Sequence, residues 1–276
     1  MSIEDLIILG NEYLHKDEVK LILSTLLSMN PLELNLNLEK QVDEETVLKY
    51  KKVLKYKREG MPIQYALNNA CFYGYDFYVS EDVLIPRFET EELVYNTIIY
   101  LKKYFNSPKV LDLGSGSGCI GITLKKECPD ISIDFADIST KALDVLKKNL
   151  KSHQVDGKVI ESDLFADIHD KYDIIVSNPP YVAYSDKVDE IVQKYEPSLA
   201  LYADNNGLEM YERILKDVSK YLKDKFLIAF EIGSTQARDV IALIQKYLTD
   251  VKVILKKDAS ARDRMIFIFK NIDFNE

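Results

Sequence analysis

From Lys109 onward the chain alternates short apolar runs with amphipathic stretches, and this alternation limits its fold more than any other feature. Val110-Leu111-Asp112-Leu113 reads as a first strand. Ile131 to Ala136, Val159-Ile160, Ile174 to Val176 and Phe226 to Phe230 read as four more. Between them the apolar residues fall at helical spacing, as in Ala142, Leu143, Leu146 and Leu150, and later in Leu208, Tyr211, Leu215, Val218 and Leu222. Strands that alternate with helices pair in parallel through right-handed crossovers. Val251 to Leu255 and Met265 to Phe269 differ, because only the short loop from Lys257 to Asp263 joins the two runs. A parallel crossover takes about a dozen residues, so this last pair is antiparallel. The expected class is α/β, a Rossmann-like, mostly parallel sheet closed by an antiparallel C-terminal hairpin.

The first 65 residues carry a different pattern. Val19, Ile22, Leu23, Leu26 and Leu27 make one apolar stripe, followed by Pro31; Val47, Tyr50 and Leu54 repeat it before Gly60 and Pro62. From Cys71 to Ile85 aromatic and β-branched residues, broken by Gly74 and by Ser80-Glu81-Asp82, predict a β-hairpin. Pro86-Arg87-Phe88-Glu89-Thr90 then opens a helix with apolar Val94, Ile98, Leu101 and Phe105. The expected division is a small helical bundle for recognition over 1–68, a hairpin linker over 69–88 and the α/β domain over 89–276.

Two loops in the α/β part carry chemistry. The apolar run Tyr172 to Val176 ends in Ser177-Asn178-Pro179-Pro180-Tyr181. Two successive prolines remove two backbone donors and fix φ, so the chain leaves the sheet along a rigid, extended course. This sets the Asn178 amide and the Tyr181 ring in a fixed relation just beyond a strand's carboxyl end, where open α/β sheets bind ligands. An Asn oxygen and free proline carbonyls accept hydrogen bonds from an –NH2 group, and an aromatic face stacks on a planar amide or base. The second loop, Asp112-Leu113-Gly114-Ser115-Gly116-Ser117-Gly118, follows the first strand and leads into a helix, so its backbone can approach a ligand closely. Asp137, ending the second strand, can accept bonds from both hydroxyls of a ribose, or can simply precede the Ser139 helix cap. Asp163, after the third strand, is placed to reach an adenine amino group, with Leu164 or Phe165 flanking the ring. Arg87, between Pro86 and a helix start, is a candidate for facing a ligand.

Gly116-Ser117-Gly118-Cys119-Ile120-Gly121 also matches the dinucleotide fingerprint G-x-G-x-x-G, which keeps a nicotinamide or flavin oxidoreductase open. Against it, the loop already begins at Gly114, and the acidic Asp112 stands where a pyrophosphate would be repelled. A phosphate-free cationic ligand such as S-adenosylmethionine suits the loop better.

The net charge of -9 bears on partners. Gripping duplex DNA takes a basic surface, and the Lys-rich run from Lys49 to Arg58 has the spacing of a solvated helix face. No stable nucleic-acid binding is expected. Cys71, Cys119 and Cys128 lack metal-ligand spacing, and their odd number argues against a disulfide framework, so no metal site is expected. His15, His153 and His169 are scattered and read as solvated. No apolar run has the length of a membrane span, and the acidic start Met1-Ser2-Ile3-Glu4-Asp5 lacks the pattern of a secretory signal, so a cytoplasmic protein is expected.

Glycine loop, Asp137 and Asn178-Pro179-Pro180-Tyr181 together resemble the class I S-adenosylmethionine-dependent methyltransferases that modify planar nitrogens. Pro62-Ile63-Gln64-Tyr65, Phe72-x-Gly74, Leu84-Ile85-Pro86-Arg87-x-x-Thr90-Glu91, Tyr195-Glu196-Pro197 and Glu231-Ile232-Gly233 narrow the resemblance to the HemK-type release factor glutamine methyltransferases, from about residue 60 to the end. The resemblance implies methylation of the side-chain amide nitrogen (N5) of the glutamine in the Gly-Gly-Gln loop of peptide chain release factors. S-adenosyl-L-methionine would be the donor and S-adenosyl-L-homocysteine the product. It assigns Gly114 to Gly118, Asp137 and Leu164 to the donor and Asn178 through Tyr181 to the glutamine; Asp112, Asp163 and Asn178 are further candidates for the donor, and Arg87 for the glutamine. Two positions depart from the family pattern: Phe88 replaces a proline, and Ala259-Ser260-Ala261 replaces a glycine-containing loop before Arg264. A DNA adenine amino-methyltransferase, which uses the same Asn-Pro-Pro-Tyr logic on a flipped base, is the alternative enzyme. A methyltransferase fold reduced to a binding module is a third possibility.

Overall fold

Local capping chemistry starts the first helices. Ser2 and Asp5 form a reciprocal capping box at the start of α1 (Ile3–Asn11). The His15 ring accepts from the Asp17 amide to begin α2 (Lys16–Leu27). Asn30 and Glu33 form a second capping box, with Pro31 at the first position of α3 (Pro31–Leu36). Asp43 caps α4 (Glu44–Arg58), and α5 covers Ile63–Leu67. In a computed structural model describing residues 1–274, these helices and the short helix Glu190–Tyr195 form one compact unit, residues 1–69 with 189–195. Its core is Ile3, Leu6, Val19, Ile22, Leu23, Leu34, Val47, Tyr50, Val53 and Leu54. Tyr50 is fully buried and donates its hydroxyl to the Leu6 carbonyl at 2.8 Å. Gly10 leaves the room for it: a Cβ there would lie 2.0 Å from the Tyr50 oxygen. Lys49, Lys51, Lys52, Lys55 and Arg58 are exposed along α4, so the basic run is a solvated face.

The second unit, residues 70–188 and from 196 on, opens with a hairpin of β1 (Ala70–Phe72) and β2 (Tyr75–Phe77). Its two-residue turn, Tyr73-Gly74, has φ of 53° and 78°, the paired left-handed geometry that matches strand twist. After α6 (Phe88–Tyr104) come β3 (Lys109–Leu113), α7 (Cys119–Glu127), β4 (Ser132–Asp137), α8 (Thr140–His153), β5 (Lys158–Glu161) and β6 (Tyr172–Ser177). Helices Glu209–Asp217 and Ala237–Tyr247 flank β7 (Leu222–Glu231), and β8 (Lys252–Lys257) and β9 (Asp263–Lys270) complete the sheet. Its seven strands run in the order β5-β4-β3-β6-β7-β9-β8, parallel from β5 to β7 and antiparallel around β9.

Adjacent residues on each strand point to opposite faces, and both faces are covered. Val110, Ile174, Val176, Leu227, Ala229, Phe267 and Phe269 pack with Leu93, Val94, Ile98 and Leu101 of α6 and with residues of α7 and α8. Leu111, Ile175, Ile228, Phe230, Ile266 and Ile268 pack on the other face with Tyr211, Ile214, Leu215, Val240 and Ile244. Each fully buried aliphatic or aromatic side chain contributes roughly 1.5–3 kcal/mol. Because β3 lies between β4 and β6, successive crossovers leave it in opposite directions, which opens a crevice at the strands' carboxyl ends.

Three details differ from the sequence expectation. The helix predicted through Leu222 stops at Asp217; a 3-10 turn, Val218–Tyr221, follows, and Leu222 opens β7 opposite Tyr172. Burial of Leu222 in the sheet outweighs its helical spacing. Phe105, counted with the α6 stripe, is extended and ends that helix. His153 is not a solvated residue: it is half-buried, its ring 4.6 Å from that of Phe77 and its Nε2 3.0 Å from the Asp76 carbonyl, and burial lowers its pKa.

The β8–β9 loop explains the departure at 259–261. Ala261 has φ of 60°, in the left-handed region that glycine occupies without strain. The turn is fixed by bonds from the Ala261 amide to the Asp258 carbonyl (2.8 Å) and from the Arg262 amide to Asp258 Oδ1 (2.9 Å). Ala261→Gly is therefore expected to stabilise the fold by about 0.5 kcal/mol, the strain relieved exceeding the entropy glycine adds to the unfolded chain. Urea unfolding measures it, and a lower midpoint would contradict the assignment.

Candidate active site

The crevice is a cleft of about 340 Å³. Its wall includes Gly114, Ser115, Gly116, Ser117, Asp137, Asp163, Leu164, Asn178, Pro180 and Arg87, all expected from the sequence. The glycine loop is shaped by backbone geometry that only glycine adopts freely: Gly114, Gly116 and Gly118 have φ of 74°, 54° and 80°. Gly114 and Ser115 both donate to the Ala136 carbonyl, at 2.8 and 3.0 Å, tying the loop to β4. A Cβ on Gly114 or Gly116 would meet nothing within 4 Å, so these two glycines face open space. At Gly118 a Cβ would lie 2.3 Å from Leu146, so this third glycine is needed for packing against α8.

Asp137 ends β4 with Oδ2 accepting from the Gly116 amide (2.8 Å) and Oδ1 from the Ser139 amide (2.9 Å). It precedes the Ser139 cap, whose hydroxyl accepts from Ala142, and it presents a carboxylate to the cleft. Burial raises its pKa. Leu164 has φ of 53°, a strained conformation for a branched side chain, and its carbonyl accepts from the Ser162 hydroxyl at 2.8 Å. Asp163 beside it accepts two bonds from Arg213, at 2.7 and 2.8 Å. Arg213 also lines the cleft.

Across the cleft, Asn178 follows β6. Its Nδ2 donates to Thr90 Oγ1 at 3.3 Å, and among the described residues no protein group donates to its Oδ1. Pro179 is buried and Pro180 lines the cleft. Arg87 is ion-paired with Glu196, a buried carboxylate that also accepts from the Ile85 amide at 3.2 Å. The cleft thus sets a glycine-backbone cradle with a carboxylate on one side against an amide acceptor on the other. Among the described residues no group of three or more His, Cys, Asp and Glu is placed to hold a metal ion. Cys119 has its thiol pushed up to about 12 by burial, which leaves no thiolate for nucleophilic chemistry.

Comparison with known proteins converges on one family. Residues 14–67 match the PrmC N-terminal domain and residues 92–199 the methyltransferase small domain. The release factor glutamine methyltransferase of Bacillus cereus is 34% identical over 255 residues, covering 90% of this chain and 90% of that protein. The chain belongs to the release factor glutamine methyltransferases. The Streptococcus pneumoniae enzyme of the same name is 44% identical over 209 residues, covering 75% of this chain and 74% of its own. The fold recurs in a 16S rRNA N2 G1207 methyltransferase of T. thermophilus solved with AdoMet and guanosine. That structure has a TM-score of 0.53 at 15% identity, over 74% of this chain and 50% of that one.

Membership in this methyltransferase family sets the dinucleotide fingerprint aside, although the reason first given against it needs correction. Asp112 does not stand at the cleft to repel a pyrophosphate. It is 1% exposed beneath the loop, with Oδ2 accepting from the Gly121 amide at 2.9 Å and Oδ1 unpaired. Burial first, and Asp137 after it, push its pKa up to about 8. Tyr181 also departs from expectation. Its ring is not on the cleft wall but packs with the core beneath, and its hydroxyl donates to Glu231 at 3.4 Å. The aromatic faces at the cleft are instead Tyr184 and Tyr202, stacked at 5.1 Å.

Several residues of this methyltransferase site gave no sequence signal. Asn149, fully buried on α8, donates to the Ser117 carbonyl (2.8 Å) and exchanges bonds with the Tyr78 backbone, pinning the glycine loop to the hairpin's exit. Gln236 donates to the carbonyls of Tyr181 (2.9 Å) and Asn206 (3.2 Å) and so holds the end of the Asn-Pro-Pro-Tyr segment.

Proposed function

We propose that this protein methylates the side-chain amide nitrogen of the glutamine in the Gly-Gly-Gln loop of peptide chain release factors, with S-adenosylmethionine as donor. One observation carries the reading: the left-handed glycine loop and the free Asn178 oxygen face the same cleft. The residues present fit the donor. Open space above Gly114 and Gly116 admits it close to the backbone, and Asp137 has lone pairs left for a ribose diol. Leu164 and Asp163 border the adenine end, with Arg213 holding the Asp163 carboxylate. When bound, the donor supplies an electrophilic methyl on a sulfonium and leaves as S-adenosylhomocysteine.

An amide nitrogen is a weak nucleophile because its lone pair is delocalised into the carbonyl. Asn178 Oδ1 and the Pro179 carbonyl accept its two N–H groups and turn the lone pair toward the methyl. The acceptors sit where positive charge develops as the N–C bond forms, and rigid placement supplies most of the acceleration. No strong general base is needed, since the methylated nitrogen is acidic and loses its proton afterwards. Arg87, braced by Glu196, borders the acceptor side, where Tyr184 and Tyr202 offer apolar contact to a peptide loop. The helical unit of residues 1–69 serves recognition of the release factor. The reading places the protein in the cytoplasm with that substrate; no helix among the described residues is long and apolar enough to cross a membrane. The acidic net charge of -9 favours a protein substrate over DNA.

Transfer of labelled methyl to a purified release factor, with duplex DNA in a parallel reaction, tests the reading. Label in the protein alone is expected, and label in DNA alone would overturn it. A second expected result concerns the donor: Asp137→Ala weakens its binding by roughly 10–100-fold in calorimetric titration, the loss of charged hydrogen bonds to two hydroxyls. Unchanged affinity would remove Asp137 from the donor site.

A further inference from the structure

Behind Asn178 lies a buried polar chain that the fold alone does not need. Glu231 ends β7 and is 1% exposed. Its Oε2 accepts from the Thr90 hydroxyl at 2.6 Å and its Oε1 from the Tyr181 hydroxyl at 3.4 Å. Among the described residues it forms no ion pair. Arg264, the cation that faces it, is committed to Asp258 Oδ2 and to the Ile232 carbonyl, both at 3.2 Å. A carboxyl group buried on hydroxyl partners alone costs stability that an apolar residue would not. Such a cost, kept beside the reactive amide, points to function.

The chemistry of the chain has a direction. A threonine hydroxyl has one proton and two lone pairs. When its proton is donated to Glu231, Thr90 has only lone pairs to offer Asn178, so the neighbour it accepts is the –NH2 end of the amide. The two ends of an asparagine amide have almost the same shape, and Asn-Pro-Pro rigidity fixes the group's place without fixing which end faces the cleft. We propose that Glu231 and Thr90 are positioning residues that set the polarity of the acceptor site, holding Asn178 with Nδ2 on Thr90 and Oδ1 free to accept from the substrate –NH2. The inference rests on the reading of Asn178 as the group that receives the glutamine amide. Reversal of the chain would turn the Asn178 –NH2 toward another –NH2 and leave two donors facing each other.

Burial pushes the Glu231 carboxyl up to about 7, with Thr90, Arg264 and Tyr181 opposing and Glu89 adding to the rise. Glu89 and Thr90 come from α6, Tyr181 from the segment after β6, and Arg264 from β9. Cys119 of α7 and Tyr211 of the helix Glu209–Asp217 also face the group. Protonation supplies Glu231 with a donor and removes the constraint on Thr90. Turnover is therefore expected to fall as pH drops below about 7, following the carboxylate.

Single-turnover rates on a Gly-Gly-Gln release factor test this, with donor affinity and thermal melting measured on each variant. Thr90→Val and Glu231→Gln are nearly isosteric, and each is expected to lower kcat roughly 10–100-fold with donor affinity unchanged. Thr90→Ser restores most of the rate, because the hydroxyl is kept. Glu231→Gln also loses the fall in rate below about pH 7, since the side chain no longer titrates. Wild-type kcat in Thr90→Val, or Thr90→Ser as slow as Thr90→Val, would overturn the proposal. So would an unaltered pH profile in Glu231→Gln, a readout that holds even if Thr90→Val fails to fold. A parent enzyme that puts no methyl on the glutamine would overturn the underlying reading instead, and the two failures are told apart by the parent alone.

Discussion

Asn178→Ala is expected to bind the methyl donor as the parent protein does and to transfer about 10²–10³-fold more slowly. The alanine removes the oriented oxygen and leaves the backbone course set by Pro179 and Pro180 in place. The proposed donor contacts are on the glycine loop and Asp137, which line the same cleft apart from Asn178, so affinity is expected to be spared. Calorimetric titration with the donor and single-turnover transfer to a release factor separate the two quantities. Near-normal turnover in the variant would remove Asn178 from the chemistry and, with it, the polarity assigned to Thr90 and Glu231.

The second large effect is expected at a residue that never touches the cleft. Gly207 has φ of 78°, and a Cβ there would lie 2.0 Å from the Tyr181 carbonyl oxygen and 2.6 Å from Gln236 Nε2. Gly207→Ala therefore meets both a backbone strain and a collision with the segment that carries Asn178. The expected loss of stability is about 2–4 kcal/mol. The Tyr181 carbonyl can only move away, which breaks its bond from Gln236 and shifts the segment behind Asn178. A displacement of about 1 Å at a reacting group lowers transfer on the order of 10²-fold. Urea unfolding and kcat read the two consequences. A variant with parental stability and rate would show that this turn is not the support that the geometry assigns to it.

The sheet was legible because its central strands are buried on both faces and flanked by helices, so they appear as short, predominantly apolar runs between helical stretches. The short loop from Lys257 to Asp263 was enough to make the last pair antiparallel. Boundaries were less legible. Leu222 has helical spacing from Val218, yet tertiary burial draws it into β7, a choice local sequence does not encode. In the site, glycines and prolines announced their loops because their backbone limits are local. Polar partners did not. Thr90 lies 88 residues from Asn178 and 141 from Glu231, and nothing in their spacing relates them. Asn149, Gln236 and Gly207 were silent for the same reason, since each acts on a backbone segment far away in sequence. Tyr181 misled because an aromatic residue after Asn-Pro-Pro reads as a ligand platform. Its phenol instead finds a buried carboxylate, and Tyr184 and Tyr202 take the exposed place.

The central claim is that one methyl group is placed on the amide nitrogen of one glutamine. Fragment mass spectrometry of a release factor incubated with this protein and S-adenosylmethionine tests it most directly, beside a copy whose Gly-Gly-Gln glutamine is changed to alanine. The predicted result is the added mass of one methyl group on that glutamine side chain and none anywhere in the altered copy. Methyl on another residue, or an equal gain in both copies, would contradict it.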